Sequence, residues 1–134
     1  MITLNQVIRG KRIKLKKKVK FPKLYGCPQK RGECKKVFIM SPKKPNSASR
    51  RVAKLFIRSK NEEIIVYIPG EGTNIKERDS VVYRGCNVKD LPGIKYKAIL
   101  GVHNTDIKGL NYRRNKLSKY GIKNEKVYKR KRLL

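Results

Sequence analysis

The sequence predicts an all-β fold, built as one small closed barrel of five strands. Five short runs of β-branched or aromatic residues occupy the middle of the 134-residue chain. Turn sequences rich in Pro, Gly, Asn and Ser separate these runs, and no apolar period of helical length lies between them. A five-stranded sheet of this size lacks the mass for a second layer of helices, and closure removes its exposed edges. The oligonucleotide-binding (OB) barrel is therefore the expected architecture.

The elements are expected in the following order. A short helix comes first, with Thr3 as its cap and Gly10 as its end. Three apolar residues between them fall on one face of that helix: Leu4, Val7 and Ile8. The strand candidates follow at residues 37–40, 52–57, 63–68, 80–83 and 96–100. These limits divide the chain into a basic N-terminal extension (1–36), an OB barrel (37–100) and a basic C-terminal tail (101–134).

The charge of the chain indicates a polyanionic partner. Lys and Arg number 37 against 9 Asp and Glu, which gives a net charge of +28. Self-repulsion at this density opposes compaction, so we expect the native form to be a complex, with nucleic acid as the first candidate partner. The net charge is +12 over residues 1–36, +7 over 37–100 and +9 over 101–134. The excess is therefore concentrated in the two terminal segments.

The terminal basic runs are interpreted as RNA-binding arms. Residues 11–23 and 123–132 are close to all-basic and lack helical or strand periodicity, so they cannot fold alone. A solvated, disordered tail is the alternative interpretation. The arm residues expected to bind RNA are Lys11, Arg12, Lys14, Lys16, Lys17, Lys18, Lys20, Lys30, Arg31, Arg113, Arg114 and Lys116.

Several other classes of protein are disfavoured. Lys or Arg interrupts every apolar run well before the 18 to 20 residues that a membrane-spanning helix requires, so no membrane partner is expected. The first residues lack the positive, apolar and small-residue order of a secretory signal. The three cysteines form an odd number, and free thiols are the default in a reducing compartment.

The loop at residues 41–49 is the first candidate binding site. Pro42 and Pro45 restrict its backbone, so its side chains are presented at low entropic cost. Two adjacent lysines, Lys43 and Lys44, suit phosphate contact. Asn46 and Ser47 can donate and accept at 2′-hydroxyls and base edges in a shallow RNA minor groove. An ordinary polar hairpin loop is the alternative, because Pro, Asn and Ser are common in turns generally.

The loop at residues 84–96 is the second candidate. Gly85 and Gly93 permit tight backbone geometry, and Pro92 stiffens the turn. Lys89 is the expected contact for an anionic ligand. Asp90 invites a catalytic interpretation, but a single carboxylate without a neighbouring histidine or second acid is more often a turn or salt-bridge residue. We therefore expect no catalytic residue.

Metal binding is weakly supported. Six residues separate Cys27 from Cys34, a wider gap than structural zinc sites usually have. Only Cys86 and His103 are available to complete a set of four ligands. Separate free thiols are the simpler interpretation. A Cys and His nucleophilic pair has no support from spacing either. We expect no metal and no cofactor.

Five motifs together resemble a known family. Cys-Pro-Gln-Lys-Arg-Gly stands at 27–32, Pro-Lys-Lys-Pro-Asn-Ser-Ala at 42–48, Gly-Glu-Gly at 70–72, Arg-Gly at 84–85 and Val-Lys-Asp-Leu-Pro-Gly-Ile at 88–94. In order and spacing these motifs are similar to the small-subunit ribosomal protein S-twelve family, over nearly the whole chain. The resemblance implies an OB barrel whose long N-terminal extension is threaded into ribosomal RNA, with neighbouring ribosomal proteins as further partners.

The resemblance also implies a role for the two loops. They would face the decoding centre and contact mRNA and tRNA indirectly, without performing chemistry. Lys43 and Lys89 match the family's streptomycin-linked positions, and Asp90 matches an aspartate that some bacterial members carry as a methylthio derivative. The implied decoding-centre residues are Lys43, Lys44, Pro45, Asn46, Ser47, Lys89, Asp90, Leu91, Pro92 and Gly93.

The sequence departs from the family pattern at a few places. The hairpin at 59–63 lacks the usual turn glycine. Thr73 and Arg78 stand where the family often has histidines, and Cys86 with Asn87 replaces a common Gly-Arg pair. These departures concern local RNA contacts and leave the expected fold unchanged.

The expected function is a structural ribosomal RNA-binding protein that supports accurate tRNA selection. A free single-stranded RNA chaperone of OB fold is the alternative, and it requires exposed stacking residues among Phe56, Tyr67, Tyr83 and Tyr96. A small metal-dependent enzyme is a third class, which one histidine and few acids disfavour. The excess of 25 Lys over 12 Arg suggests an A/T-biased genome and an organelle-encoded protein of the mitochondrial matrix, with plastid or bacterial cytoplasm as alternatives.

Overall fold

The computed structural model describes residues 3–10, 16–70 and 72–102. Within these ranges lie one short helix, α1, two single 3-10 turns and five strands. The helix and strands are α1 (Leu4–Ile8), β1 (Gln29–Met40), β2 (Arg50–Ile57), β3 (Glu62–Tyr67), β4 (Ser80–Gly85) and β5 (Tyr96–Ile99). The predictions made for residues 11–15 and for the C-terminal segment 103–134 lie outside the described residues.

The five strands close into a barrel in the order β1-β2-β3-β5-β4. All neighbours are antiparallel except β3 and β5, which are parallel. The first half of β1 pairs with β4 and the second half with β2, and Glu33 faces both Phe56 and Ser80 at the point of exchange. An irregularity in register between Cys34 and Lys36 bends the strand there. The predicted all-β, OB-like barrel is confirmed.

The start of the first strand was predicted wrongly. β1 begins at Gln29 instead of residue 37, so Lys30 and Arg31, assigned to the arm by charge, are strand residues paired with Tyr83 and Val82. The strand therefore spans the division expected between residues 36 and 37. Its inward positions here are Gly32 and Cys34, and neither residue carries the β-branched or aromatic signal by which strands are recognised.

Gly32 shows why this part of β1 has so weak a signal. A Cβ atom on Gly32 would lie 3.2 Å from both the Leu55 Cβ and the Phe56 carbonyl oxygen. Because β1 approaches β2 so closely, a larger residue would fit only if β2 moved by a few tenths of an ångström. Gly32 therefore suits the packing, but glycine has a low β propensity, so the sequence pattern does not indicate a strand here.

The apolar core has two parts. The larger part fills the barrel and includes Leu55, Val66, Val81 and Tyr83, each at most 1% exposed. The smaller part lies at the end of the barrel where β1 and β4 finish, and it consists of the buried residues Val52, Leu91 and Ile94 with Phe38, Met40, Tyr67 and Val88 packed against them. This second cluster supports the loop that follows β4.

A short segment of the N-terminal extension, residues 21–25, packs on the barrel as part of its structure. It contains a 3-10 turn, Pro22–Leu24, whose Leu24 is buried in the main core. The Tyr83 hydroxyl donates to the Lys23 carbonyl oxygen at 3.0 Å, and the Lys23 amide donates to the Tyr96 hydroxyl at 3.0 Å. The Lys23 ammonium and the Tyr25 hydroxyl both donate to the Glu62 carboxylate of β3. Charge alone did not predict this docking.

The N-terminal helix α1 agrees with its prediction in extent. The Thr3 amide donates to the Gln6 side chain at 3.3 Å, and Gly10 has a φ of 62° where the chain leaves the helix. The apolar side chains of α1 are exposed, at 76% for Leu4 and 72% for Ile8. No helix among the described residues is long and apolar enough to span a membrane.

Candidate nucleic-acid interface

The topology of the barrel brings the two predicted loops to the same end. The β1–β2 loop, residues 41–49, is closed by the pair Met40 and Arg50. The β4–β5 loop, residues 86–95, is closed by the pair Gly85 and Tyr96, and beyond it the Cys86 amide donates to the Lys95 carbonyl oxygen at 3.0 Å. We refer to residues 41–49 and 86–95 as the two-loop site. In OB barrels the corresponding loops are those that bind oligonucleotides.

Asp90 joins the two loops directly. The Lys43 amide donates to the Asp90 carbonyl oxygen at 2.9 Å, and the Asn46 side-chain amide donates to Asp90 Oδ1 at 2.9 Å. The other carboxylate oxygen, Oδ2, is 3.4 Å from Nη2 of Arg50. The interpretation of Asp90 as a salt-bridge residue is therefore confirmed. It holds one loop at a defined distance from the other.

The first loop is braced within itself. The Asn46 amide donates to the Lys43 carbonyl oxygen at 3.1 Å, which closes a turn over residues 43–46. The Lys44–Pro45 peptide bond in this turn is cis. Asn46 is therefore held by its backbone amide within the first loop and by its side chain to Asp90 of the second loop. Lys43 and Lys44 of the same turn are exposed.

The second loop is anchored by an apolar residue. Leu91 is completely buried in the small cluster with Val52 and Ile94. Gly93 has a φ of 85°, which lets the Ile94 amide reach back to the Leu91 carbonyl oxygen at 3.3 Å. Leu91 was predicted among the decoding-centre residues, but burial leaves its side chain no surface for RNA. Pro92 and Gly93 are exposed, and Leu91 holds the turn that presents them.

The charge of the two-loop site is positive. Lys43, Lys44 and Lys89 are exposed, and none forms an ion pair with another residue in the described part of the chain. The one carboxylate of the site, Asp90, is already engaged by Arg50 and Asn46. Three ammonium groups therefore face solvent, in an arrangement suited to charge-assisted contacts with phosphates.

Sequence reasoning missed two residues at this end of the barrel, Arg50 and Lys97, and named a third, Tyr67, only as a stacking candidate for an RNA chaperone. Arg50, Tyr67 and Lys97 line a cavity of about 440 Å³ together with Asn87, Val88 and Lys89. Asp90 also borders it. Their local sequence gives no sign that these three meet, because each lies at or next to the end of a different strand and they come together only when the barrel closes.

Comparison with known families identifies the chain. The model of the family described as Ribosomal protein S12/S23 matches residues 15–132. This chain belongs to the ribosomal protein S12/S23 family. The family resemblance of the motifs is thereby confirmed, and the chain is a ribosomal protein of the small subunit. Membership implies a location on the ribosome, with ribosomal RNA and other ribosomal proteins as partners.

Three residues at which this S12/S23 protein departs from the family pattern have defined backbone geometry or hydrogen bonds. Asn61 replaces the hairpin glycine and adopts the left-handed conformation, with a φ of 52°, which asparagine tolerates better than most residues. Thr73 is buried and accepts a hydrogen bond at Oγ1 from Arg51 Nη1 at 2.9 Å. Arg78 also has a positive φ, of 70°, and its amide donates to the Cys34 carbonyl oxygen at 2.7 Å.

The predicted arm residues of this S12/S23 protein divide into three groups. Four lysines precede the docked segment and are exposed: Lys16, Lys17, Lys18 and Lys20. Lys30 and Arg31 lie in β1, with the Lys30 ammonium 4.4 Å from the Tyr25 ring centroid. The remainder lie outside the described residues: Lys11, Arg12, Lys14, Arg113, Arg114 and Lys116.

The three cysteines are unpaired and differ in exposure. Cys27 is exposed, Cys86 is half-buried and Cys34 is buried. Burial raises the pKa of the Cys34 thiol, so it stays protonated and is a poor nucleophile and metal ligand. Among residues 3–10, 16–70 and 72–102 no group of three or more His, Cys, Asp or Glu side chains is placed to hold a metal ion. His103 lies outside these ranges.

The four aromatic residues named as stacking candidates, all within the described ranges, do not form an exposed platform. Tyr83 and Tyr96 are buried, in an edge-to-face contact with 5.7 Å between their ring centroids. Phe56 and Tyr67 are half-buried, and lysine ammonium groups lie 4.4 Å and 5.6 Å from their ring centroids. Two of the four aromatics that a single-strand RNA chaperone would use are thus committed to the core.

Proposed function

We propose that this S12/S23 protein binds small-subunit ribosomal RNA at the decoding centre and supports accuracy in tRNA selection. The two-loop site is the contact surface, and its contacts with mRNA and tRNA are indirect, through the RNA that it braces. The observation that carries the proposal is the bridge made by Asp90, which ties the loops of Lys43 and Lys89 together. Two ammonium groups held on one rigid unit can stabilise one arrangement of RNA over another.

The proposed role is structural and needs no catalytic group. Accuracy depends on a small free-energy difference between RNA conformations, and about 1.4 kcal/mol shifts such an equilibrium tenfold. A single phosphate contact of the charge-assisted kind is of that order. Three other carboxylates of the barrel, Glu33, Glu62 and Glu63, are engaged by basic side chains as Asp90 is, which supports a scaffold and not an acid-base site.

We place the protein in the mitochondrial ribosome, as the product of an organellar gene. The support is compositional: 25 Lys against 12 Arg indicates A/T-biased codons, and the physics of phosphate binding demands no such bias. A plastid or a bacterial cytoplasm is the alternative. Knowledge of the source genome decides between them.

The test of the decoding role compares accuracy with assembly. Lys43→Ala and Lys89→Ala each remove one ammonium group from the two-loop site, and Lys76→Ala removes an exposed lysine from the β3–β4 connection as the control. We expect all three variants to enter the small subunit at wild-type levels, because the terminal segments carry most of the excess charge.

The readout is misreading of near-cognate codons per assembled particle. We expect a several-fold change in error frequency for Lys43→Ala and Lys89→Ala and none for Lys76→Ala. If incorporation collapses while misreading per particle is unchanged, the two lysines are assembly contacts and the decoding role is wrong.

A further inference from the structure

The cavity beside the two-loop site is a second feature of this end of the barrel. Its volume of about 440 Å³ falls within the range of sites that hold small ligands. Tyr67 at the end of β3 and Lys97 in β5 form one wall, and residues 87–89 of the β4–β5 loop form another. The role proposed for Lys43 and Lys89 does not use the interior of this cavity.

The charges around the cavity favour an anion. Three basic side chains line it, Arg50, Lys89 and Lys97, against one carboxylate, Asp90. The Asp90 carboxylate lies 3.4 Å from Arg50 and accepts from Asn46 at 2.9 Å, so it is not free to neutralise either lysine. Two ammonium groups therefore remain for a ligand, and a phosphate is the anion that lysines commonly bind in nucleic-acid complexes.

The uncharged groups of the cavity suit a nucleobase. Tyr67 and Lys97 are direct partners in the parallel pairing of β3 with β5, and the Lys97 ammonium lies 5.6 Å from the Tyr67 ring centroid. The Tyr67 ring also packs against the buried cluster that contains Leu91, which fixes its position. The Tyr67 hydroxyl and the Asn87 amide each offer a donor and an acceptor, as recognition of a base edge requires.

We propose that this cavity binds one ribonucleotide of an RNA strand that passes over the two-loop site. Lys89 and Lys97 contact its phosphate, and Tyr67 and Asn87 hydrogen-bond the edge of its base. The proposal rests on the proposed function, because Lys89 and Asp90 belong to both sites and a strand held by the loops is led to the cavity. Asn87 and Lys89 of its lining are exposed, so the cavity is open to solvent, which suits a nucleotide still joined to its strand; a free small ligand is usually buried over most of its surface.

The test measures whether bases contribute to binding. Full-length protein is titrated at moderately high salt with a pool of random ten-nucleotide RNAs, and with ten-nucleotide RNA that is abasic at every position and so keeps only ribose and phosphate. We expect the wild type to prefer the base-bearing pool at least fivefold. The variant Tyr67→Phe/Asn87→Ala should lose that preference while binding abasic RNA as the wild type does. Tyr67→Phe keeps the ring in the apolar cluster, so folding is preserved.

The charge contact is tested with a matched pair of lysines. Lys97→Ala removes the ammonium group of β5 that lines the cavity, and Lys95→Ala removes an exposed one two residues earlier, in the β4–β5 loop and outside the cavity. We expect Lys97→Ala to weaken binding of the base-bearing pool more than Lys95→Ala does. Equal effects, or a wild-type base preference that survives Tyr67→Phe/Asn87→Ala, would overturn the assignment. Displacement of the RNA by millimolar nucleoside monophosphates would assign the cavity to a free nucleotide instead.

The two proposals fail in different ways. If the base preference is absent while Lys43→Ala and Lys89→Ala still alter misreading, the cavity assignment is wrong and the decoding role stands. If the preference is present and depends on Tyr67 and Asn87 while misreading is unaffected by the loop lysines, the decoding role is wrong and the cavity still binds RNA.

Discussion

At the two-loop site, the role of a single residue depends mainly on its position in the folded structure. Asp90 is a lone carboxylate next to a lysine, and its side chain reaches Asn46 and Arg50, which lie 44 and 40 residues earlier in the chain. The sequence supports its role as a salt-bridge residue, but the identity of its partners follows only from the approach of the two loops. Leu91 is the opposite case. Its place between Lys89 and Gly93 suggests contact with RNA, but its complete burial shows that it supports the loop from within.

Gly85 is a residue whose lack of a side chain is required by packing. A Cβ atom there would lie 2.5 Å from Cδ2 of Phe21, whose ring covers the glycine. We expect Gly85→Ala to displace Phe21 and to destabilise the protein by about 1–3 kcal/mol, as overpacked core positions do. Denaturant unfolding measures the loss.

The control for this prediction is the same substitution without the obstructing ring. In a Phe21→Ala background, Gly85→Ala should cost much less, because the added methyl group then enters free space. An equal cost in both backgrounds would show that the strain lies in the backbone of β4 and not in its contact with Phe21.

At the level of elements, the docked segment and β3 depend on exposed carboxylates. Lys23 and Tyr25 hydrogen-bond Glu62 and hold its pKa below the ordinary value. On the next residue, Lys35 of β1 and Lys54 of β2 lower the pKa of Glu63 to about 2. Both glutamates are thus ionised partners that tie β3 to its surroundings.

These lowered pKa values predict that acid weakens the attachment of β3 to its neighbours. A carboxyl group whose pKa is lower in the folded state stabilises the fold fully above its unfolded pKa, and this contribution is lost as the pH falls through the folded value. For Glu63 the loss falls between pH 4.5 and about 2. We therefore expect the Tm of Glu63→Gln to fall less than that of the wild type over this range.

Thermal melts between pH 7 and pH 2 provide the measurement. Glu77→Gln is the matched control, because Glu77 is exposed and forms no ion pair within the described ranges. Its profile should follow the wild type. A Glu63→Gln profile that also follows the wild type would mean that the pairs with Lys35 and Lys54 do not persist in solution.

At the level of the whole molecule, binding to RNA is expected to be dominated by charge. With a net charge of +28, the protein should neutralise many phosphates at once and release their counterions. We expect the logarithm of its affinity for single-stranded RNA to fall with the logarithm of salt concentration with a slope of about −3 or steeper, at about 0.7 per phosphate.

The loop lysines should account for a defined part of that slope. The double variant Lys43→Ala/Lys89→Ala is expected to reduce its magnitude by about 1.4, or about 0.7 for each lost phosphate contact. Filter binding or fluorescence anisotropy at several salt concentrations measures both values. A wild-type slope equivalent to one or two contacts would contradict the interpretation of the terminal runs as RNA-binding arms.

The sequence alone determined the class of the fold, the number of strands and the loops that carry Lys43 and Lys89. Runs of β-branched residues and turns rich in Pro and Gly are local signals, so strands β2 to β5 and the positions of Lys43 and Lys89 follow from short stretches of chain. The motifs also sufficed to identify the family, because their order and spacing are visible in the sequence without knowledge of any contact.

Only the tertiary structure decided the remaining features. The early start of β1 depends on the fit of Gly32 against Leu55, and the docking of residues 21–25 depends on Tyr83 and Tyr96. The bridge at Asp90 and the cavity between Tyr67 and Lys97 join residues from distant parts of the chain. Such features arise from closure of the barrel, which sets the distances between side chains that the linear sequence leaves free.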